Sequence, residues 1–101
     1  MGNLFICSKP IQILISLSIA KNSKDINYLI VIQNFTKFKE IINFLNYNNF
    51  LLDFKEIILV NNYDEIHTKI KKINYKNIFI EDDRCSKYFL FKKLKKNKMF
   101  L

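Results

Sequence analysis

Residues 3–21 read NLFICSKPIQILISLSIAK, and this stretch decides the fold. Asn3 to Cys7 is a short apolar run, the kind of strand that a sheet covered on both faces requires. Ser8 is placed to cap a helix. Pro10, the only proline of the chain, then falls in the first helical turn, where its missing N–H costs nothing and its fixed φ suits the helix. Ile11, Leu14, Ile15, Ser18 and Ile19 recur at helical spacing, which predicts that this face packs on the sheet while Gln12 stays near the mouth of the turn. Backbone N–H groups between Lys9 and Gln12 are then expected to face a ligand.

The rhythm repeats along the chain. Asn27 to Gln33 (NYLIVIQ) reads as a second strand, followed by Thr36 as a candidate cap and by Phe38, Ile41, Ile42 and Leu45 at helical spacing. Glu56 to Val60 (EIILV) is a third strand, with Tyr63, Ile66, Ile70 and Ile73 behind it. Asn77 to Glu81 (NIFIE) makes a fourth. A polar turn from Asp82 to Ser86 then leads into a lysine-rich helix with Leu90, Phe91 and Leu94 inward, and Met99 to Leu101 opens a fifth strand. Strand and helix alternating in this way predict an α/β fold, a Rossmann-like parallel sheet with right-handed crossovers and helices on both faces. The 101 residues make one domain, 1–101, with a 50% apolar composition that is ample for a core of that size. In such sheets ligands bind beyond the carboxyl ends of the strands, here at Ser8 and Lys9, Gln33 and Asn34, Asn61 and Asn62, and Asp82 to Arg84.

Composition excludes several chemistries. The only glycine is Gly2, so neither a phosphate-cradling glycine loop nor a dinucleotide fingerprint exists, and no cofactor is expected. A phosphorylatable receiver domain would need acidic residues where Ser8, Lys9 and Asn61 stand. His67 is the only histidine, and the spacing supplies no ligand set for a mononuclear zinc site around it. Cys7 and Cys85 form neither a metal spacing nor a disulfide framework, which points to a reducing, cytoplasmic compartment. The apolar segment from Pro10 to Ala20 is too short to span a bilayer. Ser18 and Ala20 mimic a signal-peptidase site, but Lys9 interrupts the apolar run, and a myristoylation pattern at Gly2 would want Ser or Thr where Ile6 stands.

The net charge of +8 suggests an anionic partner, with all but one of the 17 cations being lysine and only Lys92 to Lys98 dense. Scattered lysine among isoleucine and asparagine is also what an AT-rich coding sequence produces without selection for binding. Tyr88, Phe89 and Phe91 beside Lys92 and Lys93 have the composition of a single-strand nucleic-acid platform, yet helical spacing turns part of the set inward, and a nucleic-acid partner is not favoured. The lysine face could equally meet the anionic headgroups of an inner membrane. Glu81, Asp82, Asp83 and Arg84 form the sharpest charged cluster. Adjacent carboxylates at a strand end diverge, so capping of the next helix outweighs metal ligation or base catalysis there.

Cys7, Ser8, Lys9, Pro10, Ile11 and Gln12 resemble the Cys-x-x-Pro-Leu-Gln opening of bacterial family 52 glycosyltransferases, the lipooligosaccharide sialyltransferases, and of related polysialyltransferase-type proteins. Ile11 is a mild change, and Lys9 departs from the usual small or hydroxyl residue. The βα rhythm is similar to that of the family's N-terminal Rossmann-like domain, half of a GT-B architecture, with IFIEDDRCSKYFLFKKLKK in the place of its fourth strand and helix. The resemblance implies a lobe that holds the acceptor glycan, with Ser8, Lys9, Gln12, Asp82 and Asp83 on the acceptor side. The nucleotide sugar, CMP-sialic acid by resemblance, sits on a second domain, and the base lies in an acidic-acidic-glycine motif after the fifth strand. Met99 to Leu101 align with that strand, so the expectation is a truncated chain that carries no catalytic residue and no metal site and is inactive alone. The rival expectation is a self-contained basic α/β module for nucleic acid or an anionic membrane surface.

Overall fold

A computed structural model describes residues 2–80 and 97–101. In chain order these form β1 (Gly2–Cys7), α1 (Pro10–Lys21), β2 (Ile26–Ile32), α2 (Phe38–Tyr47), β3 (Glu56–Val60), a 3-10 turn (Tyr63–Glu65) running into α3 (Ile66–Ile70), β4 (Tyr75–Ile80) and β5 (Asn97–Phe100). The strands make one sheet in the order β3-β2-β1-β4-β5, and every neighbouring pair is parallel. The expected α/β, Rossmann-like architecture is therefore what the chain adopts. Neighbouring β1 and β4 belong to halves of the sheet that grow in opposite directions, which opens a crevice at their carboxyl ends.

The pleat sorts the core into two layers. Phe5 and Cys7 face α1 and α2 together with Leu29, Val31, Phe38, Ile42 and Leu45. Leu4 and Ile6 face the other way, onto Ile66, Ile70 and Ile73. Phe5 anchors the first layer, stacked on Phe79 at 4.4 Å between ring centroids and edge-on to Phe54 at 5.7 Å. Gly2 begins β1 where the strands crowd: a Cβ there would lie 2.6 Å from the Ile26 carbonyl oxygen and 2.9 Å from the Tyr28 ring. No larger residue fits without movement.

At the amino end of the sheet the register brings Asn27, Asn3 and Asn77 side by side. The Asn77 amide donates to Asn3 Oδ1 at 2.8 Å, and the Asn3 amide donates to Asn27 Oδ1 and to Ser23 Oγ, both at 3.0 Å. The Asn27 amide ends the row on the carbonyls of Ala20 and Asp53, each at 3.3 Å. Asn3 and Asn27 are buried, and this chain of bonds supplies their partners.

The face of α1 that meets the sheet differs from the one expected. Gln12, Ile13, Ser16 and Ala20 are buried, whereas Ile11, Leu14 and Ile15 are exposed. An apolar residue stands on nearly every side of this helix, so periodicity does not select a face. Close approach does: Ser16 Oγ lies 3.2 Å from Cys7 Sγ and donates to the Gln12 carbonyl at 2.8 Å, a fit that larger side chains would prevent. The expected cap at Thr36 is also absent. Lys37 occupies the N-cap of α2 in the left-handed region (φ 59°), with no side-chain cap bond. Behind β3, the single helix expected over Tyr63 to Ile73 is divided into the 3-10 turn and the short α3.

Candidate functional site

β1 ends at Cys7 and α1 begins at Pro10, so two residues make the turn at the centre of the sheet's carboxyl edge. Ser8 is buried, Lys9 is exposed, and Gln12 is buried beneath them. Ser8 does not cap the helix. Lys9 is the N-cap, in extended conformation and without a side-chain cap bond. Instead Gln12 reaches back, its Oε1 accepting the Ser8 N–H at 2.7 Å and lying 3.4 Å from the Ser8 hydroxyl. The bond is like the returning half of a capping box but set one residue earlier, the N3 side chain satisfying the N–H of the residue before the N-cap.

The turn therefore has fewer free backbone donors than the sequence suggests. Pro10 has no N–H, and the Gln12 and Ile13 N–H groups both bond to the Lys9 carbonyl, at 3.1 and 3.3 Å. The site is built from side chains. The neighbouring loop is tied to it: Asn34, with its amide nitrogen turned toward β1, donates to the Ser8 carbonyl at 3.0 Å and the Ile32 carbonyl at 3.2 Å. Ser8, Lys9 and Gln12 are thus brought together, while Asp82 and Asp83 lie outside the described residues, as do Glu81, Arg84, Cys85, the aromatic set from Tyr88 to Phe91 and most of the Lys92 to Lys98 cluster.

The third loop holds a residue that sequence reasoning missed. Glu65 accepts from the Asn61 N–H at 2.6 Å through Oε2 and from the Asn61 amide at 3.3 Å through Oε1, while its own N–H donates to Asn62 Oδ1 at 3.2 Å. Asn-x-x-Glu at 62–65 is the signal that would have found it. At the edge of β3 this carboxylate has a structural task. Cys7 sits at the end of β1 with its thiol buried, and burial pushes its pKa up to about 12 against the smaller opposing effect of the Ser16 hydrogen bond. It stays a protonated thiol, unsuited to nucleophilic attack.

Among the described residues no group of three or more His, Cys, Asp or Glu is arranged to hold a metal, and no helix is long and apolar enough to cross a membrane. His67 is half-buried on α3. The fold and the placement of these side chains define a Rossmann-like α/β domain with a polar turn at the topological switch point. No protein-family model, curated protein or solved structure matches the chain.

Proposed function

We propose that this chain is the acceptor-binding lobe of a sialyltransferase-like glycosyltransferase, with the acceptor glycan held over the β1–α1 turn by Ser8, Lys9 and Gln12. The observation that carries the reading is the Gln12 carboxamide folded back onto Ser8. It closes Cys7, Ser8, Lys9, Pro10, Ile11 and Gln12 into one rigid unit at the carboxyl edge of the central strand, and these are the residues of the family resemblance.

The chemistry follows from what that unit offers. The Ser8 hydroxyl is a hydrogen-bonding group of the kind sugar hydroxyls pair with. Lys9 adds an ammonium at the rim, which selects an acceptor carrying a carboxylate or phosphate near its terminal sugar. Transfer also needs a base on the nucleophilic hydroxyl and cations around the leaving nucleotide, both in a closed cleft. The resemblance puts the base in an acidic-acidic-glycine motif, and Gly2 is the only glycine of residues 1–101. The proposal accordingly assigns this chain acceptor binding, with turnover requiring the donor lobe. Any contact with an anionic inner membrane would be through the lysine cluster.

Titration of the isotopically labelled chain with an oligosaccharide bearing a carboxylate or phosphate, followed by amide NMR, tests the reading. Shifts concentrated at Ser8, Lys9, Ile11 and Gln12 are expected, with affinity lowered about tenfold in Lys9→Ala, the loss of one charge-assisted hydrogen bond. Absence of shifts at millimolar sugar would overturn it, and sugar transfer from CMP-sialic acid by the chain alone would overturn the division of labour.

A further inference from the structure

A groove of about 640 Å³ lies at the opposite end of the molecule from the β1–α1 turn, between the C-terminal half of α1 and the end of α2 with the turn that follows it. Leu14 and Leu17 form one wall, Phe44 and Phe50 the other, and Leu52 stands at the rim. The second wall is held rigidly. Asn49 adopts the left-handed conformation (φ 60°), the Phe50 N–H bonds to the Leu45 carbonyl at 2.9 Å, and the Asn49 N–H bonds to the Asn46 carbonyl at 3.1 Å. That is the Schellman ending of a helix, and the Phe44 and Phe50 rings meet across it at 6.1 Å.

The same surface carries projections as well as a hollow. Leu52 is 78% exposed and Tyr47 88%, the latter one helical turn beyond Phe44 on the same side of α2. Two opposite charges, Lys21 and Asp53, line the groove, and neither forms an ion pair with another described residue. A contiguous apolar patch of this kind marks an interaction surface.

We propose that the α1/α2 groove is a two-fold homodimer interface, in which each copy seats Leu52 and Tyr47 in the other's groove and pairs Lys21 with the partner's Asp53. Charge complementarity selects this occupant. A two-fold axis passing between Lys21 and Asp53 brings each charge against its opposite twice over. An anionic bilayer or a nucleic acid would be attracted by Lys21 and repelled by Asp53, so the groove offers a polyanion no net charge complement. Hollow and projection on one surface give the self-complementary shape that an isologous contact requires. The interface is independent of acceptor binding, because the groove lies at the helix C-termini and the acceptor turn at the helix N-terminus.

Sedimentation velocity over a roughly hundredfold concentration range tests the assignment, the expected result being a reversible doubling of mass. Leu52→Asp should weaken the dimer by about tenfold or more, as loss of a central apolar anchor does. Lys21→Glu and Asp53→Lys should each weaken it, and the double reversal should restore it. All three side chains are outside the core, so circular dichroism should be unchanged. A monomer at every concentration overturns the proposal, as does a double reversal no tighter than either single variant. Groove-dependent binding of the monomer to vesicles of anionic phospholipid, lost in Leu52→Asp, would overturn it in favour of a membrane.

Discussion

The two ends of the central strand handle polar groups in opposite ways. At the amino end of β1, Asn3 is buried and spends its amide on Asn27, Ser23 and Asn77, so the polar atoms satisfy one another across three strands. At the carboxyl end, Gln12 satisfies the Ser8 backbone while Lys9 projects from the surface. A buried, mutually bonded row specifies register, because a slip of one residue would strand every amide in the apolar layer. At the turn the Ser8 and Gln12 side chains are buried against each other and only Lys9 is left to face outward, which is the surface we propose for the acceptor. One strand thus carries a lock at one end and a candidate site at the other.

That contrast can be broken most severely at Asn3. Asn3→Leu removes the acceptor of the Asn77 amide and the donor to Asn27 Oδ1, and urea unfolding should show a loss of about 3 kcal/mol. Gly2→Ala, one residue earlier, forces a Cβ against the Ile26 carbonyl and should cost about 2 kcal/mol in the same measurement. At the other end Gln12→Ala should cost about 1 kcal/mol and speed hydrogen exchange of the Ser8 amide, since that N–H, and more weakly the Ser8 hydroxyl, lose their acceptor.

Cys7 sharpens the comparison through pH. Its folded pKa, about 12, exceeds the ordinary thiol value of 9.0, so the folded state is disfavoured only when the thiol ionises. In a Cys85→Ser background the contribution of Cys7 should be constant below pH 9 and fall as pH rises from 9 toward 12. A thiol reagent at pH 8 should label Cys7 only on unfolding; rapid labelling of the native protein would contradict its burial. The smallest stability effect should come from Lys9→Ala, within about 0.5 kcal/mol of the parent, since the side chain is exposed and caps nothing.

The strands were legible because each is a short apolar run bounded by polar residues. β3 matches expectation to the residue, while β2 and β4 begin one and two residues earlier than NYLIVIQ and NIFIE suggest. The β1–α1 turn was legible in position, through Ser8 and Pro10, but its wiring was not. Ser8 looked like the cap because serine usually is, yet Lys9 stands at the N-cap with no side-chain cap bond, and Gln12 reaches back to the Ser8 N–H ahead of the helix. The buried face of α1 was illegible for a different reason: Ile11, Leu14 and Ile15 are as apolar as Ile13 and Leu17, and composition carries no information about which side approaches a strand. Nor did Lys37 and Asn49 stand out, since left-handed positions are sought at glycine and this chain spends its only one at Gly2.

By itself, then, the sequence determined the alternation of strands and helices, the parallel sheet that alternation requires, the absence of a glycine phosphate loop, and a polar turn ten residues into the chain. Those features depend on neighbours within a few residues, where propensity and period act. Tertiary structure alone decided that Ser16 and Ala20 rather than Leu14 and Ile15 meet the sheet, that Asn3, Asn27 and Asn77 form one row, and that an apolar groove stays open between two helices. Each depends on residues 9 to 74 positions apart being packed to hydrogen-bond or van der Waals distance, and close packing is a property of surfaces in contact, which a linear pattern does not encode.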